Sequence, residues 1–196
     1  MPTRPELARL IDSPHAFLGS TDPVLRRMAV TALDPETARE YRSALHTLVS
    51  DDTPEVRAAV AEKLGQLDVE VMDDLTTLRG DDDERVREAA ATAYGELGEA
   101  VAVEWLVAAA NDDPDRAVRE AAVAALGSIG DPRAIDPLLA LMADAPPQVR
   151  RRTIAAITVF DDDRIEPAIR RAALDRNPGV REAAEMVVGR QLSAEG

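Results

Sequence analysis

The sequence of 196 residues contains no cysteine. This absence excludes disulfide frameworks, thiolate nucleophiles and cysteine-ligated zinc or iron–sulfur sites, and it indicates a reducing compartment. Long apolar runs are also missing, because no uncharged stretch approaches the roughly 18 residues of a membrane helix. The first ten residues lack the apolar region of a signal peptide. We therefore expect a soluble, cytoplasmic protein with no membrane partner.

Aromatic residues make up only 3% of the chain, and basic residues are outnumbered, with 23 Lys and Arg against 37 Asp and Glu. The net charge of −14 is concentrated in residues 34–147, which carry 10 basic and 26 acidic side chains. Nucleic-acid phosphates would be repelled there, so no nucleic-acid partner is expected. The acidity favours a basic segment of a partner protein, and adaptation to a salty host explains it equally well.

One short phrase, a branched apolar residue followed by arginine, recurs six times at intervals of 30 to 32 residues. Positions in each copy are numbered from the apolar residue of this phrase. The six pairs are Leu25-Arg26, Val56-Arg57, Val86-Arg87, Val118-Arg119, Val149-Arg150 and Val180-Arg181. Such regular recurrence indicates an internal structural repeat.

Each copy has residues that are typical of the start and the end of a helix. Five copies have a helix-capping residue three positions before the apolar residue, and the fifth copy has Pro146 instead. Proline often follows, as at the first turn of helices. A large apolar residue at +8 is followed in four copies by glycine, which we interpret as the helix C-terminus; these glycines are Gly65, Gly95, Gly127 and Gly189. A second apolar-periodic segment lies between copies, and no segment has a strand pattern.

These patterns predict an all-α fold, an α-solenoid of about six two-helix repeats of about 31 residues. The expected repeats are residues 3–33, 34–66, 67–98, 99–130, 131–160 and 161–192, which form a single domain over residues 1–196. Alanines at +3 and +4 allow neighbouring helices to approach closely. We expect a monomer.

The sequence from Leu126 to Leu138, with the Asp-x-x-x-x-Val-Arg-x-Ala-Ala phrase, resembles the HEAT repeats of the phycobilisome-lyase-like subgroup. This resemblance implies a superhelical scaffold. It also gives an alternative function, a bilin-type lyase or an accessory subunit of an enzyme, although it runs through scaffold positions only. The HEAT-repeat deoxyhypusine hydroxylases hold iron with His-Glu pairs, and neither His15 nor His46 is followed by glutamate. We predict no catalytic residues, metal ligands or cofactor.

An aspartate stands six residues before the arginine of five copies. The resemblance implies a structural ladder in which each aspartate meets an arginine of its own or the next repeat. The ladder residues are Asp51 and Arg57, Asp81 and Arg87, Asp113 and Arg119, Asp144 and Arg150, and Asp175 and Arg181.

In this repeat type the second helix of each pair lines the concave side, so positions +2 and +6 are expected to form a docking face. Arg152 replaces the alanine expected at +3, within an arginine triplet. The predicted partner contacts are Arg151, Arg152, Arg27, Glu88, Glu120 and Glu182. The leading hypothesis is therefore a non-catalytic interaction scaffold that binds another protein on its concave face.

Overall fold

The computed structural model describes residues 2–67 and 71–194, with side chains up to residue 189. Within this part of the chain there are 13 α-helices and no β-strand, which confirms the all-α prediction. None of the helices described there is both long and apolar enough to span a membrane. The contacts divide the chain into two compact units, Met1–Leu97 and Gly98–Gly196. The division falls one residue before the predicted boundary between the third and fourth repeats, and the single domain stays a prediction.

Unit 1 contains three second helices, α2, α5 and α7, which pack in that order, α2 against α5 and α5 against α7. The first helices are α1, a broken pair α3 and α4, and α6. The bounds are α1 Arg4–Asp12, α2 Pro23–Ala32, α3 Pro35–Glu40, α4 Arg42–Leu48, α5 Pro54–Gly65, α6 Met72–Leu78 and α7 Glu84–Leu97. The apolar residue of each phrase is buried in the core, as are Leu45, Leu64, Leu75 and Tyr94.

Unit 2 has the same arrangement, with α8 packed on α9, α10 on α11 and α12 on α13, and with α11 lying against both α9 and α13. The bounds are α8 Val103–Asp112, α9 Arg116–Ile129, α10 Ile135–Asp144, α11 Pro147–Ile157, α12 Ile165–Ala172 and α13 Pro178–Ala194. Its core includes Leu106, Leu126, Leu138, Ile154 and Ile169.

The second helices begin where the capping residues predict. Side-chain oxygens of Asp22, Asp83, Asp115 and Asn177 accept hydrogen bonds from backbone N–H groups two residues later, at 2.7–3.0 Å. Such bonds satisfy donors that the first turn of a helix leaves unpaired. The side chain of Thr53 makes no such bond, and Pro146 has no side chain able to make one.

The interpretation of the glycines at +9 as helix C-termini is confirmed at Gly65, where α5 ends, and wrong for Gly95, Gly127 and Gly189, which lie before the ends of their helices. Gly65, Gly95 and Gly127 are buried, and the left-handed residues that follow α7 and α9 are Gly98 and Gly130, with φ of +70° and +67°. A Cβ added at Gly127 would lie 2.9 Å from both Cα and Cβ of Ala156, and one at Gly65 would lie 2.8 Å from Cα of Ala93. These glycines therefore let adjacent second helices come into direct backbone contact.

Candidate functional site

Three arginines at position +1 bind aspartates of the following repeat through two parallel hydrogen bonds. Arg26 binds Asp51, Arg57 binds Asp81, and Arg150 binds Asp175, each through Nε and Nη2 at 2.6–2.9 Å. This forked geometry is the strongest that an arginine makes with a carboxylate. The carboxylate of each of these aspartates thus binds the arginine of the preceding repeat, whereas an arginine of its own or the next repeat was expected.

The arginine of an aspartate's own repeat binds that residue's backbone carbonyl instead. Nη1 of Arg57, Arg87 and Arg181 donates to the carbonyls of Asp51, Asp81 and Asp175 at 2.7–2.8 Å. Arg119 bonds in the same way to the carbonyl of Asp113. Each complete rung therefore joins two consecutive repeats, because one arginine side chain binds a backbone carbonyl of its own repeat and the carboxylate of the aspartate in the next repeat.

The environment of the rung carboxylates favours their ionised form. Burial alone would raise the pKa of Asp51 and Asp81, but the hydrogen bonds from Arg26 or Arg57 and from nearby backbone N–H groups outweigh it and lower both pKa values. The hydrogen bond from Arg150 lowers the pKa of Asp175. The rungs are therefore charged pairs near neutral pH.

The ladder lacks a rung at Asp144, contrary to the sequence prediction. Asp144 is exposed at the end of α10, and Arg150 binds the carbonyl of Ala145 in its place. Arg119 is left with a buried Nε that has no hydrogen-bond partner among the described residues.

Pro146 explains the missing rung. The other ladder aspartates, Asp51, Asp81, Asp113 and Asp175, each accept a hydrogen bond from the backbone N–H two residues later, at 2.7–2.9 Å. Two residues after Asp144 stands Pro146, which has no N–H to donate. Asp144 therefore has no local bond to hold it in the position that faces Arg119.

We expect Pro146→Thr to restore the rung and raise the free energy of unfolding of unit 2 by about 1 kcal/mol, the typical worth of a hydrogen bond. Urea denaturation followed by the fluorescence of the only tryptophan, Trp105, reports on this unit. The same substitution combined with Asp144→Ala should give no gain. An equal gain in both backgrounds would show that the rung had not formed.

A groove of about 370 Å³ crosses α2, α5 and α7 of unit 1. It is lined by positions −1, +2, +3 and +6 of the three successive repeats. The lining residues are Arg27, Thr31, Glu55, Ala58, Ala59, Glu62, Arg85, Glu88, Ala89 and Thr92. The predicted docking positions +2 and +6 of unit 1 thus lie together in one concavity.

The groove combines a floor of small methyl groups with charged sides. Ala59 and Ala89 are buried beneath it, whereas Glu62 and Glu88 are exposed. At one end of the groove the positive charge of Arg85 is neutralised, because Arg85 contacts Glu55 at 2.6 Å and Asp83 at 2.7 Å. The pKa of Glu55 is lowered by a hydrogen bond that its carboxylate accepts from its own backbone N–H, and by the hydrogen bond from Arg85. The surplus charge of the groove is therefore negative.

Of the six predicted partner contacts, the structure brings only Arg27 and Glu88 together in this groove. The others lie in unit 2: Glu120 on α9 pairs with Arg116 at 3.3 Å, Arg151 and Arg152 are exposed on α11, and Glu182 is exposed on α13. The first arginine of the triplet, Arg150, is buried in its rung, so the triplet divides into one structural residue and two surface residues.

Several contributing residues were not singled out from the sequence. Glu55 and Arg85 occupy position −1, and their opposite charges 30 residues apart were the available signal. A second group that the sequence did not reveal is an ion-pair cluster between α4 and α6, in which the buried Asp74 contacts Arg42 and His46, both at 2.6 Å. No local motif marks this cluster, since its members come from separate repeats.

Comparison with known families agrees with this arrangement. The family model for HEAT repeats matches residues 11–79, 72–157 and 135–194, which cover most of the sequence. The chain belongs to the HEAT-repeat family. No curated protein matches the sequence of this HEAT-repeat chain.

Solved structures show the same α-solenoid fold. A designed armadillo repeat protein in complex with the peptide (KR)4 is 20% identical, with a TM-score of 0.61, over 91% of this chain and 98% of that one. The CpcE and CpcF complex of phycocyanin lyase from Nostoc sp. PCC7120 is 22% identical, with a TM-score of 0.65, over 89% and 74%. The Escherichia coli protein YibA is 20% identical, with a TM-score of 0.65, over 94% and 73%. At these identities the similarity establishes the fold class of the HEAT-repeat chain.

Proposed function

We propose that this HEAT-repeat chain is a non-catalytic scaffold that binds an extended, basic segment of a partner protein in the groove of unit 1. The observation that carries the proposal is the groove itself, in which three successive second helices present equivalent positions. Extended surfaces made of equivalent positions are how repeat proteins bind their partners.

The residues that line the groove are better suited to binding a peptide than to catalysing a reaction. The alanine floor admits a main chain closely, and the charged groups are spread over three helices instead of converging on one point. Glu62 and Glu88, on adjacent helices, can each contact a cationic side chain of the segment. The net charge of −14 would further speed the capture of a basic partner at low salt.

The fold neighbour that was solved with (KR)4 supplies a suitable probe. We expect fluorescein-labelled (KR)4 to bind the full chain in an anisotropy titration and to bind more weakly as salt is raised. Glu62→Gln with Glu88→Gln should weaken binding about tenfold, because two carboxylate contacts worth up to about 1 kcal/mol each are lost.

The matched control is Glu36→Gln with Glu40→Gln, which removes the same charge from exposed positions on α3. It should leave the affinity within about twofold of the original value. If this control lowers the affinity as much as the groove variant, the peptide responds to net charge and not to the groove. Affinity that does not change with salt would contradict the electrostatic part of the mechanism.

A further inference from the structure

The start of α11 lacks the side-chain cap that four of the other second helices have. Capping side chains of aspartate or asparagine stand at the start of α2, α7, α9 and α13. At α11 the corresponding residue is Pro146, which offers no side-chain acceptor. The ladder carboxylate of this repeat, Asp144, is exposed at the end of α10 and forms no rung. The start of α11 therefore has neither a side-chain cap nor a ladder rung.

Arginine is enriched at the same place. Arg151 and Arg152 are exposed on the first turns of α11, and neither makes an ion pair or side-chain hydrogen bond within the described residues. Arg152 occupies position +3, the position at which Ala59 and Ala89 form the groove floor in unit 1. In α11 a guanidinium group therefore stands at the position where α5 and α7 present methyl groups, with the second guanidinium, that of Arg151, at the adjacent position +2.

Arg119, on the helix α9 that packs against α11, is a further arginine whose ladder aspartate is missing. In the complete rungs the arginine at +1 reaches the loop that precedes the next second helix, as Arg150 reaches Asp175 before α13. By the same geometry Arg119 on α9 faces the loop before α11, but it has no carboxylate to bind there. Its charge is not neutralised by the aspartate that the repeat pattern would supply.

We propose that the exposed surface of α11 around Arg151 and Arg152 binds the carboxylates of an acidic peptide segment of a partner, with Arg119 adding attraction from α9. This surface lies in unit 2 and is separate from the groove that takes the basic segment. Carboxylate is the ligand that guanidinium groups of this chain bind in three rungs, at 2.6–2.9 Å. A nucleic acid fits poorly, because its affinity comes from the neutralisation of many phosphates along the strand, and this surface offers two exposed arginines.

The test is an anisotropy titration of the full chain with a labelled oligoglutamate peptide at low salt, with an oligoglutamine peptide of equal length as reference. The net charge of the chain opposes binding of this probe, so only a local positive surface can hold it. Arg151→Gln with Arg152→Gln should weaken binding about tenfold or more. Glu182→Gln on the neighbouring α13 should tighten it, because an exposed acid is removed.

The matched control is Arg171→Gln with Arg176→Gln, which removes two exposed arginines elsewhere in unit 2. Its affinity should stay within about twofold of the original. The assignment is overturned if oligoglutamate binds no better than oligoglutamine, or if the control loses as much affinity as the α11 variant. Tighter binding of a phosphoserine peptide would overturn the choice of carboxylate. The (KR)4 titration reads the groove of unit 1, so the two sites can fail independently.

Discussion

Gly127→Val will lower the free energy of unfolding of unit 2 by about 3 kcal/mol, the upper part of the usual cost of overpacking. A Cβ at this position would lie 2.9 Å from Cα of Ala156 and 3.0 Å from its carbonyl oxygen. Backbone atoms cannot turn aside as a flexible side chain can, so α9 and α11 must separate. Urea denaturation followed by Trp105 fluorescence measures the loss, because Trp105 lies in the same unit.

Gly189→Val is the matched control, since Gly189 occupies the same +9 position in the sixth repeat. A Cβ there meets no heavy atom within 4 Å. Its effect should stay within about 0.5 kcal/mol, because valine is slightly better than glycine inside a helix and nothing is displaced. Equal losses from both variants would show that the cost does not come from the approach of α9 to α11.

Arg150→Met will destabilise unit 2 by about 2 to 3 kcal/mol, whereas Arg151→Met and Arg152→Met will change its stability by less than about 0.5 kcal/mol. The Arg150 side chain is only 4% exposed and binds both Asp175 and the carbonyl of Ala145. Methionine keeps the aliphatic part of the side chain but leaves the half-buried carboxylate without its cation. The two neighbouring arginines are exposed.

The three single variants are compared by urea denaturation. Each serves as a control for the others, because all three remove the same charge from consecutive residues. Asp175→Asn combined with Arg150→Met should cost less than the sum of the two single losses, since both remove the same rung. Three equal losses would contradict the division of the triplet into one structural arginine and two surface arginines.

The sequence predicts the repeats well because their signals are local. Within each copy the start of the second helix is marked by a buried apolar residue that follows a capping residue, a proline or both within three positions. The break between α3 and α4 at Tyr41 was not predicted, since no proline or glycine marks it. The role of the +9 glycines also depends on the distance between two helices, which a single helix pattern does not contain.

The candidate sites show the same limit. Positions +2 and +6 could be assigned to one face by helical periodicity, and Arg27, Thr31, Glu62, Glu88 and Thr92 do line the groove. The contribution of Glu55 and Arg85 depends on how the first turns of α5 and α7 approach each other. The missing rung could have been found, because Pro146 visibly removes the N–H that the other ladder aspartates use.

The most direct test of the binding groove is methyl NMR of alanine-labelled protein during titration with (KR)4. The floor offers three reporters in unit 1, Ala58, Ala59 and Ala89. Their methyl resonances should shift progressively as peptide is added, while Ala110 and Ala122, buried in unit 2, keep their positions. Binding that leaves the three floor methyls unchanged, or that shifts the methyls of unit 2 instead, would contradict the placement of a basic partner segment in the groove of α2, α5 and α7.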